Sequence, residues 1–327
     1  MLSSKLSRAA WSMARPSARR TFATSPSSTG ESVVVVAGVR LPFATTSTIY
    51  EDQLAVDLQR LAIQGLLTQT ALDKNVVDYV VCGNVIQEVR TSNIAREAAI
   101  NAGLPHSIGA HTVAQACISA NAAIATAAEK ILTGHANVVI AGGCETFSDV
   151  PIRLKRPVRQ KLITMNKAMK KGGVPGGIRH FLKGLKMKDL GVETPAIANY
   201  TTGEVMGVSS DRLSAKFGVT REEQDEYTVR SHNFAAQAHA DGFYKNEVIP
   251  YKGSTEENGI KGDSTIASVS KLKPAFVKPH GTHTVRGLGG GAKCVCLNCI
   301  VFLSHCDPRP CSSCSISHKH KKTFFIY

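Results

Sequence analysis

The sequence has no apolar run of about 18 residues, the length that crosses a membrane as a helix, and no internal repeat at a fixed period. Acidic residues are missing from residues 1–30, which hold five Lys or Arg, and from residues 153–188, which hold twelve. Residues 285–327 are also basic. The summed net charge of these three segments exceeds the whole chain's net charge of +14, so the rest of the chain is net negative. The high charge therefore does not indicate a nucleic-acid partner.

Residues 1–30 are rich in Arg, Ser and Ala and contain no long apolar segment. This composition is typical of a mitochondrial transit peptide and unlike a secretory signal. The alternative is a basic tail without a targeting role. A mitochondrial location would keep thiols reduced, so we expect no disulfides among Cys82, Cys117 and Cys144.

Apolar strand-like runs and helix-like periods alternate over the first 150 residues, which predicts an α/β fold with a mostly parallel sheet covered by helices. The strands are expected at Val33–Ala37, which reads as buried, within 76–86, and at 138–141. Helices are expected over 51–70, over 93–102 and up to Leu132. Further on, Asp211 is interpreted as the start of a helix, and Thr220 with Glu223 resembles a capping box.

Cys117 lies in the small-residue segment Ala114-Gln115-Ala116-Cys117-Ile118-Ser119-Ala120-Asn121, which runs into an alanine-rich helix. Unpaired N–H groups and the positive end of the dipole at a helix start favour the nucleophilic thiolate form of a cysteine. The alternative is a buried cysteine that serves as a small apolar residue. On local sequence alone, both interpretations stay open.

Several further motifs flank Cys117 and extend the pattern over residues 32–284. They include Gly38-Val39-Arg40-Leu41-Pro42-Phe43, Gly83-Asn84-Val85-Ile86-Gln87-Glu88, Ala141-Gly142-Gly143, Ser148-Asp149-Val150-Pro151-Ile152-Arg153, Met206-Gly207 and Arg230-Ser231-His232. With these motifs the chain resembles thiolases, most closely those of the mitochondrial trifunctional type. The resemblance implies a layered α/β thiolase N-terminal half over 31–284, with a helical loop insertion at about 150–270 and the C-terminal half missing.

The resemblance also implies an acetyl-CoA C-acyltransferase, a 3-ketoacyl-CoA thiolase of mitochondrial fatty-acid β-oxidation. In such an enzyme Cys117 would carry the acyl group in ping-pong thiolysis, with coenzyme A as a substrate and neither a bound cofactor nor a metal. Met206 would line the acyl pocket, unless it is an ordinary core methionine. The implied partners are a second copy of the chain and a hydratase/dehydrogenase α-subunit.

Three motifs that thiolases carry in their second half are absent from this sequence: (His/Asn)-Glu-Ala-Phe, Gly-His-Pro and Cys-x-Gly. We therefore expect impaired turnover in this chain. Two other interpretations stay open: a catalytically inactive, partner-binding isoform or fragment, and a short-chain biosynthetic acetoacetyl-CoA thiolase. No histidine can be given the activating role, and His106, His111, His180 and His232 are expected at the surface or in the core.

Two basic segments have competing interpretations. Residues 285–327 contain six of the nine cysteines, so the segment is either a zinc site or, because its spacing fits no standard finger, an aberrant unstructured tail. Residues 153–188 interleave apolar side chains with Lys and Arg. They are interpreted as a solvated loop, a site for the phosphates of coenzyme A, or a contact with the inner-membrane surface.

Overall fold

A computed structural model describes residues 32–196 and 198–277, together with the backbone of 299–306. Its core is a five-stranded sheet with the order β1-β7-β4-β2-β3. The strands are β1 (Ser32–Arg40), β2 (Tyr79–Gly83), β3 (Gly109–Val113), β4 (Val138–Gly143) and β7 (Cys299–Cys306). β2 pairs in parallel with both β3 and β4, whereas β7 is antiparallel to β4. The predicted α/β sheet is confirmed.

Helices cover both faces of this sheet: α1 (Ala55–Thr70) and α2 (Ile94–Asn101) on one, and α3 (Ser119–Leu132) on the other. Alternation along the strands explains the two layers, because successive side chains point to opposite faces. Val80 of β2 packs in the cluster with α1 and α2, while its neighbour Val81 packs with α3. The architecture is therefore a three-layer α/β/α arrangement.

The strand predicted at 33–37 exists, but its burial was predicted wrongly. Val34, Val35 and Val36 are exposed, and only the carboxyl end of β1, at Val39 and Arg40, is buried. β1 lies at one end of the described sheet, and the cluster under α1 contains Val39 but none of the three exposed valines. Local strand propensity predicts this strand correctly. Whether its residues are buried depends on how far the covering helices extend over it.

The insertion after β4 contains the remaining α-helices of the described residues. β5 (Arg153–Leu154) and β6 (Val192–Glu193) form a two-stranded antiparallel ribbon. α4 (Arg156–Leu182) begins just after β5. α5 (Met206–Phe217), α6 (Arg221–Ala240) and α7 (Ile266–Val269) follow. Short 3-10 helices lie at Lys74–Val76 and Met187–Asp189. No helix of the described residues is both long and apolar enough to cross a membrane.

Within the insertion, one prediction is wrong and another is confirmed. α5 begins at Met206, so Asp211 lies inside the helix; it is fully buried and accepts a hydrogen bond from the Val277 N–H at 2.9 Å. An acidic residue interpreted as a helix start is instead a buried acceptor for a distant segment. The capping box of α6 is confirmed: the Thr220 side chain accepts from the Glu223 N–H, and the Glu223 carboxylate accepts from the Thr220 N–H.

The segment 285–327 was expected to be unstructured, yet its residues 299–306 form β7 in the central sheet. The run Cys299-Ile300-Val301-Phe302-Leu303 is apolar and includes β-branched and aromatic residues, which suits a strand between two others. The remainder of that segment, with the side chains of all six of its cysteines, lies outside the described residues. So does the expected transit peptide at 1–30.

Candidate active site

Cys117 occupies the turn that joins β3 to α3, at the end of the sheet where the parallel strands β2, β3 and β4 finish. The carboxyl ends of parallel strands are where α/β folds place their functional groups. The Cys117 side chain is exposed, and α3 begins two residues later at Ser119. This exposure removes the interpretation of Cys117 as a buried apolar residue.

The backbone at Ala116, just before Cys117, has a φ of 49°. A non-glycine residue in this left-handed region costs of order 1 kcal/mol and persists only where the surroundings fix it. The fixing group is Ser119, which is 4% exposed. Its Oγ donates to the Ala116 carbonyl at 2.6 Å and accepts from the Gln115 N–H at 2.8 Å. One buried hydroxyl therefore holds the turn that presents Cys117.

Two glycines allow α3 to approach the strand ends closely. A Cβ on Gly83 would lie 2.4 Å from the Ser119 carbonyl carbon, and one on Gly143 would lie 3.0 Å from the Ala120 Cβ. Ala123 and Ala127, one and two turns into α3, are fully buried against the sheet. Small residues on both sides set the position of the first turn of α3 and of the cysteine before it.

The first turn of α3 can stabilise negative charge near Cys117. Ile118, at the N-cap position, contributes no side-chain hydrogen bond. An uncapped helix start presents N–H groups and the positive end of the helix dipole to its surroundings. An exposed thiol here suits nucleophilic attack on a carbonyl carbon, followed by transfer of the acyl group.

The other two cysteines whose side chains the structure describes are unsuited to this chemistry. Cys82 and Cys144 are buried, and neither they nor Cys117 is joined in a disulfide. Burial raises the pKa of Cys82 to about 12, which keeps that thiol protonated.

A buried polar arrangement that we did not predict lies at the same strand ends. The half-buried Glu145, two residues after β4, accepts from the N–H groups of Val85 and Ile86 at 2.9 and 3.1 Å. The side-chain amide of Asn84 donates to the Cys144 carbonyl at 3.0 Å and approaches Glu145 Oε1 at 3.4 Å. Burial raises the pKa of Glu145, and the hydrogen bonds it accepts offset only part of that shift. Asn84 belongs to a motif that we singled out, but its role was not visible in the sequence.

No described hydrogen bond joins a histidine to Cys117. The His111 ring, on β3, lies 3.3 Å from the Tyr79 hydroxyl, and burial with the nearby Lys130 lowers its pKa. His232 is buried and accepts from the Lys261 N–H; burial and the Lys261 charge lower its pKa. Both histidine rings therefore form hydrogen bonds within the fold, with Tyr79 and with Lys261.

Met206 is the first residue of α5 and is 60% exposed, so the alternative of an ordinary core methionine is wrong for the described chain. It lies on α5, whereas Cys117 lies in the turn before α3. Within the described residues, no group of three or more His, Cys, Asp and Glu side chains is placed to hold a metal ion.

The basic segment 153–188, for which a solvated loop was one interpretation, forms a helical hairpin. α4 bends at Gly172 and Gly173, and Gly173 has a φ of 62°. The second limb folds back on the first: Thr164 Oγ1 lies 2.7 Å from His180 Nε2, and Gly177 packs against Met169. Exposed apolar side chains accompany the Lys and Arg of both limbs, namely Leu162, Ile163, Val174, Ile178 and Leu182.

A sheet covered by helices on both faces, with a cysteine presented just before the alanine-rich helix α3, matches one known class. The family description "Thiolase, N-terminal domain" fits residues 33–287. The chain belongs to the thiolase family.

Its relatives agree with this assignment. The chain is 48% identical over 260 residues to a probable 3-ketoacyl-CoA thiolase of Caenorhabditis elegans, covering 77% of this chain and 56% of the relative. It is 46% identical over 259 residues to the mitochondrial trifunctional enzyme subunit beta of Mus musculus, covering 78% and 53%. The chain thus spans about half the length of the curated relatives it matches.

Solved structures show the same fold. The Bacillus anthracis acetyl-CoA acetyltransferase superposes with a TM-score of 0.67 at 27% identity, over 83% of this chain and 65% of that one. The Acat5 thiolase from Ascaris suum, solved in complex with coenzyme A, gives a TM-score of 0.69 at 22% identity, over the same shares. The predicted thiolase resemblance and layered α/β fold are confirmed.

Proposed function

We propose that this chain acts as a 3-ketoacyl-CoA thiolase of the mitochondrial trifunctional type, in fatty-acid β-oxidation, with Cys117 as the acyl carrier. The observation that carries the proposal is the exposed thiol of Cys117, held by Ser119 at the uncapped start of α3 in a chain of this family. The names of the relatives support the substrate class and the location.

In the proposed reaction the Cys117 thiolate attacks the 3-keto carbon of a 3-ketoacyl-CoA. The bond between C2 and C3 breaks, and its electron pair passes to the leaving acetyl-CoA enolate, which takes up a proton. The thiol of coenzyme A then attacks the acyl thioester, loses its proton and releases the Cys117 thiolate with a shortened acyl-CoA. The start of α3 offers N–H groups to the developing oxyanion.

A direct test is the mass of Cys117 after incubation with 3-ketoacyl-CoA substrates of several chain lengths. We expect an acyl group on the Cys117 peptide, its loss in Cys117→Ser, and slow release of acetyl-CoA because this sequence lacks the three second-half motifs. A preference for long chains would separate this function from a short-chain biosynthetic thiolase. If no substrate acylates Cys117, the proposal fails.

A second candidate is a catalytically inactive, partner-binding chain. The partners that we propose are a second copy of this chain and the trifunctional α-subunit. β3 lies at one end of the described sheet, where a strand can pair with another chain. Co-purification with the α-subunit by a chain that does not acylate Cys117 would support this candidate over the first.

Met206 is proposed to line the acyl pocket, with its exposed side chain available to an acyl chain. Met206→Ala is expected to change the ratio of acylation rates between long and short substrates. Leu213→Ala, at another exposed apolar position of α5, is the matched control and should leave that ratio unchanged.

We further propose that the α4 hairpin contacts the anionic surface of the inner mitochondrial membrane, since exposed cations and apolar side chains share its limbs. Binding to cardiolipin vesicles should fall at least about tenfold when Lys167, Lys170 and Lys171 are changed to Gln, because each cation near such a surface contributes about 1 kcal/mol. Gln at Lys216, Lys245 and Lys273, exposed elsewhere, is the matched control. Equal loss in both triple variants would contradict the proposal.

A further inference from the structure

Residues 83–86 touch both ends of the Cys117 turn. At its start, the Asn84 N–H donates to the Val113 carbonyl at 3.1 Å. At its end, Gly83 lies directly against the backbone of Ser119 and Ala120. The geometry of the turn therefore depends on where residues 83–86 are held, in addition to the hydrogen bonds of Ser119.

Glu145 holds that segment in place. Its Oε2 accepts from the N–H groups of Val85 and Ile86, and the Asn84 amide approaches its Oε1. A second link runs between the same strand ends, because the Cys144 N–H donates to the Gly83 carbonyl at 3.1 Å. A single carboxylate thus satisfies two successive backbone donors that no strand pairing uses.

Glu145 is partly buried in a place where a charge is unfavourable, so the residue does more than fill space. It is half-buried, and it lacks a salt bridge to Lys, Arg or His within the described chain. Asn84 is 1% exposed, and its Oδ1 has no hydrogen-bond partner among the described residues. Burying a polar group costs stability unless hydrogen bonds compensate for the lost water, so apolar side chains would fill this space at a lower cost.

We propose that Glu145 is a positioning residue for Cys117: its carboxylate fixes residues 84–86, and these fix the turn that presents the thiol at the start of α3. The proposal rests on the proposed function only in taking Cys117 as the nucleophile. Glu145 acts through the backbone and does not touch the reacting atoms.

The test measures how fast iodoacetamide alkylates Cys117, Cys82 and Cys144, resolved by peptide mass, across about pH 6 to 9, the range in which reactive thiols ionise. Glu145→Gln keeps the side-chain length but removes the charge and places an NH2 group against a backbone donor. Glu145→Asp keeps the charge and both oxygens and shortens the side chain. Glu129→Gln, an exposed glutamate on α3 itself, is the matched control.

We expect Glu145→Gln to slow alkylation of Cys117 about fivefold at pH 7, because the thiol is no longer held in one position beside the first turn of α3. Glu145→Asp should slow it less, and Glu129→Gln should match the wild type. Cys82 and Cys144 should stay protected in every variant, because both thiols are buried. Their alkylation would report loosening of the whole sheet.

Two results would overturn the inference. Unchanged or faster alkylation of Cys117 in Glu145→Gln would mean that the carboxylate does not position the thiol. Simultaneous reactivity of Cys82 and Cys144 would mean that Glu145 supports the fold generally. Acylation of wild-type Cys117 by a 3-ketoacyl-CoA is measured separately, so failure of the proposed function leaves the alkylation result interpretable.

Discussion

Gly83 and Ser119 are in backbone contact: a Cβ added to Gly83 would lie 2.4 Å from the carbonyl carbon of Ser119. No side chain at position 83 could be accommodated by rotating a neighbouring side chain, since the obstructing atoms belong to the backbone of α3. The absence of a side chain at Gly83, at the end of β2, thus sets how closely the start of α3 approaches the sheet.

We predict that Gly83→Ala displaces the start of α3. Overpacking at a buried site costs about 1–3 kcal/mol, and the free energy of unfolding should fall by at least that amount in urea denaturation. Gly259→Ala is the matched control, because a Cβ there meets nothing within 4 Å and the backbone φ is not positive. Equal stability of the two variants would contradict the contact between Gly83 and α3.

The left-handed backbone of Ala116 gives a prediction of opposite sign. Ala116→Gly relieves strain of about 1 kcal/mol but adds freedom to the unfolded chain, so the melting temperature should stay constant or rise. Ala125→Gly, at an exposed position within α3, should lower stability by about 0.5–1 kcal/mol. A loss at Ala116 as large as that at Ala125 would show that the turn is not strained.

Ser119 is predicted to be the hydroxyl on which the Cys117 turn depends. Ser119→Ala removes a donor to the Ala116 carbonyl and an acceptor for the Gln115 N–H, at a cost of about 1–3 kcal/mol for the buried groups left unpaired. Thermal unfolding measures this loss, and Ser231→Ala, exposed on α6, should be neutral. A neutral Ser119→Ala would imply that other contacts hold the turn.

The parts of this fold that local patterns encode could be predicted from the sequence. Hydrophobic periods located β2, α1 and α3, and the Thr220–Glu223 spacing located the start of α6. The turn at Cys117 was found because small residues precede an alanine-rich helix. The same local reasoning misplaced the start of α5, because the sequence does not distinguish an aspartate that begins a helix from one that is buried within it.

The contacts that position the site could not be predicted, because they join residues far apart in the chain. Glu145 meets Val85 across 60 positions, and Arg40 meets Glu257 across 217. A single sequence contains no signal for which buried acid pairs with which distant donor. Gly83 was part of a recognised motif, but only the structure shows that it marks a close approach of α3.

Glu257 joins the insertion to the end of β1. Its carboxylate pairs with the buried Arg40, accepts from the Phe43 N–H at 2.7 Å, and lies 2.8 Å from His239 Nε2. Burial alone would raise the pKa of Glu257, but the hydrogen bonds from Arg40 and Phe43 outweigh it, and the net shift is downward. The ionised form is therefore the one that stabilises the fold.

A carboxyl group whose pKa is lower in the folded state contributes stability above its unfolded pKa and loses it as the pH falls through the folded value. Glu257→Gln should cost about 3 kcal/mol near pH 7, at the lower end for a broken buried pair because Arg40 keeps Glu247. The difference from wild type should shrink below about pH 4, as wild-type Glu257 itself becomes protonated. Urea denaturation at a series of pH values measures this, with the exposed neighbour Glu256→Gln as control. A difference that persists unchanged at acid pH would show that the charge of Glu257 is not what joins the insertion to β1.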